Sequence, residues 1–109
     1  MKVALCQINP TLGAISDNVR KIIDVYKDAL GNNCDIIVFP ELAITGYPPQ
    51  DLLLNNKFIK ANSLALNRIV KQVTLPVIIG YVREQEGNLY NTAALACNGE
   101  IVHQFDKIL

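Results

Sequence analysis

The chain has 109 residues, with ten Lys and Arg, ten Asp and Glu, one His and a formal net charge of zero; half of its residues are hydrophobic. That length holds one domain or a piece of a larger one, and a chain so apolar can bury a core without disulfide or metal staples. Six Gly and five Pro exclude collagen-like or low-complexity structure, and a neutral chain with scattered cations lacks the basic face of a nucleic-acid or anionic-membrane module.

The longest apolar stretches, residues 34–40 and 75–82, are too short to span a bilayer. The N-terminus turns polar at Gln7, too early for a signal peptide. Cys6, Cys34 and Cys97 are odd in number and sit among apolar residues. Neither a disulfide framework nor a zinc site is expected from them, and a reducing cytoplasm is the expected setting.

Residues 3–8 form a short apolar run ended by Asn9-Pro10 and are predicted to be a buried strand. After a loop over 11–14, Ser16 or Asp17 is expected to cap a helix. Val19, Ile22, Ile23, Tyr26 and Leu30 recur at helical spacing, and Gly31 is a stop residue. Residues 35–39 read as a second, central strand that Pro40 ends, because proline cannot donate to a sheet ladder. Residues 41–51 are loop-like, and 52–54 form a short turn. Phe58, Ile59, Leu64, Leu66, Ile69, Val70 and Val73 then predict a second long helix.

Leu75-Pro76 breaks that helix, and residues 77–82 read as a third strand. A polar turn over 84–88 leads to strands at 89–97 and 100–105, joined by Asn98-Gly99. That dipeptide is a strong hairpin signal, since both residues tolerate the positive φ of a type I′ turn. The expected architecture is therefore α/β, with a mixed sheet, two long helices, crossovers first and an antiparallel hairpin last. The chain ends on apolar Ile108-Leu109, which leads us to expect truncation of a longer domain.

One carboxylate stands out. Glu41 follows an apolar strand at its carboxyl end, where ligands gather in open α/β sheets, and a Pro- and Gly-containing loop follows it. Between Pro40 and Leu42 it is expected to be partly desolvated, as a general base would be; the alternative is a loop or capping carboxylate. His103 alternates with Ile101 and Phe105 on one strand face and reads as a core or edge histidine. No Gly-rich phosphate loop and no Cys/His metal spacing is present.

The run Phe39-Pro40-Glu41-Leu42, with Gly46-Tyr47 following, resembles the nitrilase superfamily of carbon–nitrogen hydrolases. So do the opening strand with Cys6-Gln7-Ile8, the helix after Asp17-Asn18, Leu89-Tyr90-Asn91-Thr92-Ala93, Gly99-Glu100-Ile101 and Lys107. Within that superfamily, Gly46-Tyr47-Pro48-Pro49-Gln50-Asp51-Leu52-Leu53 is most similar to the glutaminase domain of glutamine-dependent NAD+ synthetases. The resemblance implies a partial α-β-β-α sandwich and a Glu–Lys–Cys triad. Glu41 would be its general base and Lys107 the cation beside the oxyanion. Tyr47 would line the substrate entrance, or simply pack on the adjacent prolines.

The nucleophilic cysteine of the family lies further along, and none of the three cysteines matches it, so residues 1–109 would be an N-terminal part truncated before it. The resemblance implies glutamine as substrate of the intact domain, no cofactor in this chain, and ATP, Mg2+ and deamido-NAD in a separate synthetase domain. It also implies a homo-oligomer, with no nucleic-acid or membrane partner. A fragment of a stand-alone amidase or nitrilase, and a non-catalytic self-associating fragment, are the alternatives.

Overall fold

The computed structural model describes residues 1–46 and 51–108. Five strands form one sheet in the order β1-β2-β3-β4-β5: β1 (Val3–Leu5), β2 (Ile36–Val38), β3 (Val77–Gln85), β4 (Asn88–Cys97) and β5 (Glu100–Ile108). Helix α1 (Ile15–Leu30) connects β1 to β2, and α2 (Asn56–Val70), preceded by a 3₁₀ turn at Asp51–Leu54, connects β2 to β3. The first three strands pair in parallel and the last three antiparallel. The mixed α/β sheet with two helices and a terminal hairpin expected from the sequence is the sheet observed.

The hairpin signal holds. Asn98 and Gly99 have φ values of 51° and 80°, the left-handed pair that a type I′ turn requires. Glu86-Gly87, at 52° and 79°, closes the β3–β4 connection in the same way. Two tight turns let β3, β4 and β5 run longer than the sequence pattern suggested, and β5 continues to Ile108.

Alternation along the strands sorts side chains to two faces. Ile37, Val77, Ile79, Tyr81, Ala94 and Ala96 pack against Val19, Ile22 and Tyr26 of α1 and Leu66, Ile69 and Val70 of α2. The main core lies there. The opposite face carries Val3, Leu5, Ala93 and Phe105 and has no helix layer among the described residues. The chain thus supplies one sheet and one helix layer of a sandwich. No described helix is long and apolar enough to cross a membrane.

Three details differ from expectation. Strand β1 is three residues long and forms the sheet edge, and Val3 and Leu5 point to the helix-free face, so they are exposed rather than buried. Helix α1 starts two or three residues earlier than a Ser16 or Asp17 cap would allow: its N-cap is Ala14, with no side-chain cap bond. The work of fixing that end falls to Asn18, below. At α2 the cap is Asn55, whose side chain accepts from the Lys57 and Phe58 amides. A β-bulge between Leu95 and Ala96 pairs Leu95 with His103 but Ala96 with Ile101. Val102 is the extra residue, so Ile101 faces the helix-side core and His103 the other side. The alternation of Ile101 with His103 read from the sequence is broken there.

Candidate active site

The loop after β2 is seated by its backbone. Phe39 N–H donates to Ile78 O at 2.8 Å, one rung beyond the β2–β3 pairing, and Pro40 cannot continue the ladder. Residues 41–45 turn, and Gly46 N–H returns to Leu42 O at 2.9 Å. The edge of β3 past Ile78 is left without a neighbouring strand. Loop and helix fill it: Ile44 N–H reaches Gly80 O at 3.5 Å, and the Asn62 side-chain amide both donates to Val82 O and accepts from Val82 N–H. Asn62 is fully buried on α2 and pairs with β3 as a strand backbone would.

Gly80 is where this loop lies on the strand. A Cβ there would sit 2.5 Å from Leu42 N, 2.9 Å from Pro40 O and 3.0 Å from the Glu41 carbonyl carbon. Only glycine admits so close a backbone approach. Leu42 adopts φ 49°, a left-handed conformation costing a leucine about 1–2 kcal/mol. Its side chain is fully buried with Phe58, Ile59 and Val82, and burying a leucine contributes about 2 kcal/mol. The two nearly offset, and the inward Leu42 leaves Glu41 pointing the other way. From below, Asn18 Nδ2 donates to Ile44 O at 2.9 Å and Thr11 O at 2.8 Å, while its Oδ1 accepts from Thr11 N–H at 2.8 Å. These bonds tie the loop and the entry of α1 together.

Glu41 therefore stands over the helix-free face of the sheet, next to a concave space of about 290 Å³. Pro40, Glu41, Gly80, Asn91, Thr92, Ala93, Phe105 and Lys107 line it, Thr92 with its hydroxyl turned away toward Asp106. Asn91, opposite Val82 on β4, donates through Nδ2 to Glu41 Oε1. Lys107, opposite Asn91 on β5, projects from the same face. Sixty-six residues apart in the chain, the carboxylate and the ammonium share one cavity wall, yet Lys107 forms no ion pair among the described residues. An acceptor, a carboxamide and a cation thus converge on a site floored by Gly80 and walled by Phe105.

The structure corrects one property of Glu41. It is exposed rather than partly desolvated, because Leu42, not Glu41, takes the buried position beside Pro40. Lys107 is also exposed, but it belongs to β5 rather than to a segment after the hairpin. Tyr47, expected at the entrance, lies outside the described residues. None of the cysteines lines the cavity. Burial, and to a lesser degree Cys34 nearby, pushes the Cys6 thiol up, which makes it a poorer nucleophile. His103 packs against Phe105, with ring centroids 4.7 Å apart. Among the described residues no group of three or more His, Cys, Asp or Glu is arranged to hold a metal ion.

Asn91, Gly80 and Asn18 were not singled out for these roles from the sequence. Signals existed: a glycine inside the apolar run 77–82, and an asparagine beside Val19 on the apolar face of α1. For Asn91, only the motif carrying the resemblance was visible.

Comparison with known proteins bears on the family and the fold. A family model described as carbon–nitrogen hydrolase matches residues 2–108. The chain is 36% identical over 111 residues to the glutamine-dependent NAD(+) synthetase of Thermotoga maritima, covering 99% of this chain and 19% of the relative. It superimposes on a glutamine-dependent NAD+ synthetase of Acinetobacter baumannii, solved with adenosine diphosphate, at TM-score 0.91 and 36% identity, over 97% of this chain and 20% of that one. An amidase from Nesterenkonia sp. shares the fold at TM-score 0.83 and 23% identity, over all of this chain and 43% of that one. The chain spans about a fifth of the length of the curated relatives it matches.

Proposed function

The chain belongs to the carbon–nitrogen hydrolase family, and from that premise we propose that it is the N-terminal part of a glutaminase domain that supplies ammonia to a glutamine-dependent NAD+ synthetase. The similarity to such synthetases over nearly the whole chain supports the subfamily. One observation carries the chemistry: Glu41 and Lys107, sixty-six residues apart in the chain, line one cavity with Asn91 bonded to Glu41.

In this reading Glu41 is the general base. It takes the proton from a cysteine thiol supplied by residues beyond these 109, and the thiolate attacks the glutamine side-chain carbonyl. Lys107 donates to the oxygen that becomes negative in the tetrahedral intermediate. Glu41 returns that proton to the amide nitrogen, the carbon–nitrogen bond breaks and ammonia leaves, and a thioester remains; the freed carboxylate then takes a proton from the water that attacks the thioester and passes it to the departing cysteine sulfur. Asn91 aims the carboxylate. ATP, Mg2+ and deamido-NAD act in a separate synthetase domain. The protein works in the cytoplasm as a homo-oligomer.

The test is Glu41→Gln in the full-length gene product. Glutamine hydrolysis is expected to fall by about 10³-fold or more, with amidation from free ammonia retained. Undiminished glutamine hydrolysis would refute the role of Glu41. Hydrolysis of other small amides with no response to glutamine would replace the reading with a stand-alone amidase.

A further inference from the structure

Strand β5 is an edge strand, and residues 102–108 are exposed along its length. The bulge at Val102 already offsets the register once. A second one-residue slip would send every later side chain to the opposite face. Lys107 would then point away from Glu41 and Asn91.

The face opposite the cavity carries a side-chain cluster that spans three strands. Arg83 on β3 reaches across β4, its guanidinium carbon 5.5 Å from the centre of the Tyr90 ring. It grips Asp106 on β5 with two bonds, Nε to Oδ1 at 3.0 Å and Nη2 to Oδ2 at 2.7 Å. Thr92, almost wholly buried on β4 and directly opposite Asp106, donates its hydroxyl to Asp106 Oδ1 at 2.6 Å. Arg83 also donates to Gln85. The Arg83 bonds and then the Thr92 bond hold the Asp106 carboxyl down to about 2, so it stays ionised and gripped under ordinary conditions. A bidentate pair plus a buried hydroxyl fixes direction as well as distance.

Residues 106 and 107 are neighbours and point to opposite faces. Whatever holds Asp106 against Thr92 also decides where Lys107 emerges. We propose that Arg83, Thr92 and Asp106 are positioning residues: a three-strand register lock that presents Lys107 to the cavity shared with Glu41 and Asn91. The inference rests on the role given to Lys107 above, but the lock has its own readout.

The experiment uses the full-length gene product with Asp106→Asn, Thr92→Val and Thr92→Ser. Thr92→Val keeps the shape and removes the hydroxyl; Thr92→Ser keeps the hydroxyl and loses a methyl. Deuterium exchange is read at the amides of residues 90–93 and 104–108, and kcat and KM for glutamine hydrolysis are read in parallel. Asp106→Asn and Thr92→Val are expected to accelerate exchange on β5, with α1 and α2 unchanged. They should lower kcat about tenfold or more while KM stays within about twofold, since a misplaced cation is felt in the transition state. Thr92→Ser is expected to recover most of what Thr92→Val loses. If Thr92→Ser is as impaired as Thr92→Val, the residue only packs, and the proposal is wrong. Faster exchange with wild-type kcat overturns it too, for the lock would not serve Lys107. A wild type that does not hydrolyse glutamine refutes the functional reading instead; unchanged exchange in Asp106→Asn then refutes the lock by itself.

Discussion

Gly80→Ala tests whether the Glu41 loop is built on a missing side chain. The new Cβ would lie 2.5 Å from Leu42 N, and ordinary contact begins near 3.4 Å, so the loop must retreat by about 0.9 Å. The atoms in the way are backbone of Pro40, Glu41 and Leu42, with no rotamer to swing aside. Overpacking of this kind costs about 1–3 kcal/mol. With roughly 2.1 cal/mol/K of unfolding entropy per residue, about 2 kcal/mol lowers the melting temperature of 109 residues by about 9 °C. The retreat also separates Glu41 from Asn91, and in an active full-length protein a shift of about 1 Å would cost roughly 100-fold in turnover. Thermal unfolding by circular dichroism and the NMR signals of the Asn91 side-chain amide measure the two effects. A variant that melts at the wild-type temperature with unshifted Asn91 signals would show that the loop is not seated on Gly80.

Other expectations follow from the same architecture. Asn62→Leu keeps the γ-branched shape but strands the buried Val82 N–H and C=O, and should cost about 2–4 kcal/mol; a loss under about 1 kcal/mol in urea unfolding would mean that the edge of β3 finds other partners. Asp106 has its carboxyl lowered from 3.8 to about 2 by Arg83 and Thr92. Its contribution to stability is therefore complete above pH 4 and fades as the pH falls from 4 to 2, because the unfolded chain takes up the proton first. Asp106→Asn should flatten that part of the stability profile, and an unaltered profile would contradict the pairing. The 109-residue chain by itself should self-associate through the helix-free face bearing Leu5, 79% exposed, and Phe105, 60% exposed. Leu5→Lys should shift it toward monomer in light scattering, and a purely monomeric wild type at high concentration would refute the idea.

Periodicity placed both helices, the parallel strands and the hairpin within a few residues, because apolar spacing and turn chemistry are local. Burial of β1 was misjudged because an apolar run does not say whether a strand lies at the edge or the centre of a sheet. The bulge at Val102 was invisible, since nothing in Ile101-Val102-His103 distinguishes a regular strand from one with an extra residue. Glu41 was legible from its place after a strand. Lys107 was legible only through the family resemblance, because a lone lysine on a polar edge carries no local signal. Asn91, Gly80, Asn18 and Asn62 matter through groups 20 to 50 residues away, and a single sequence does not print those pairings.

The two-residue turns at Glu86-Gly87 and Asn98-Gly99 also have a consequence in time. They close β3, β4 and β5 with minimal loss of chain entropy, whereas joining β2 to β3 means closing a segment of nearly forty residues. Local pairing of this kind forms in microseconds and long-range parallel pairing far later. Asn91 and Lys107 therefore stand in register before Glu41 arrives, and the cavity is completed from its lysine side toward its carboxylate.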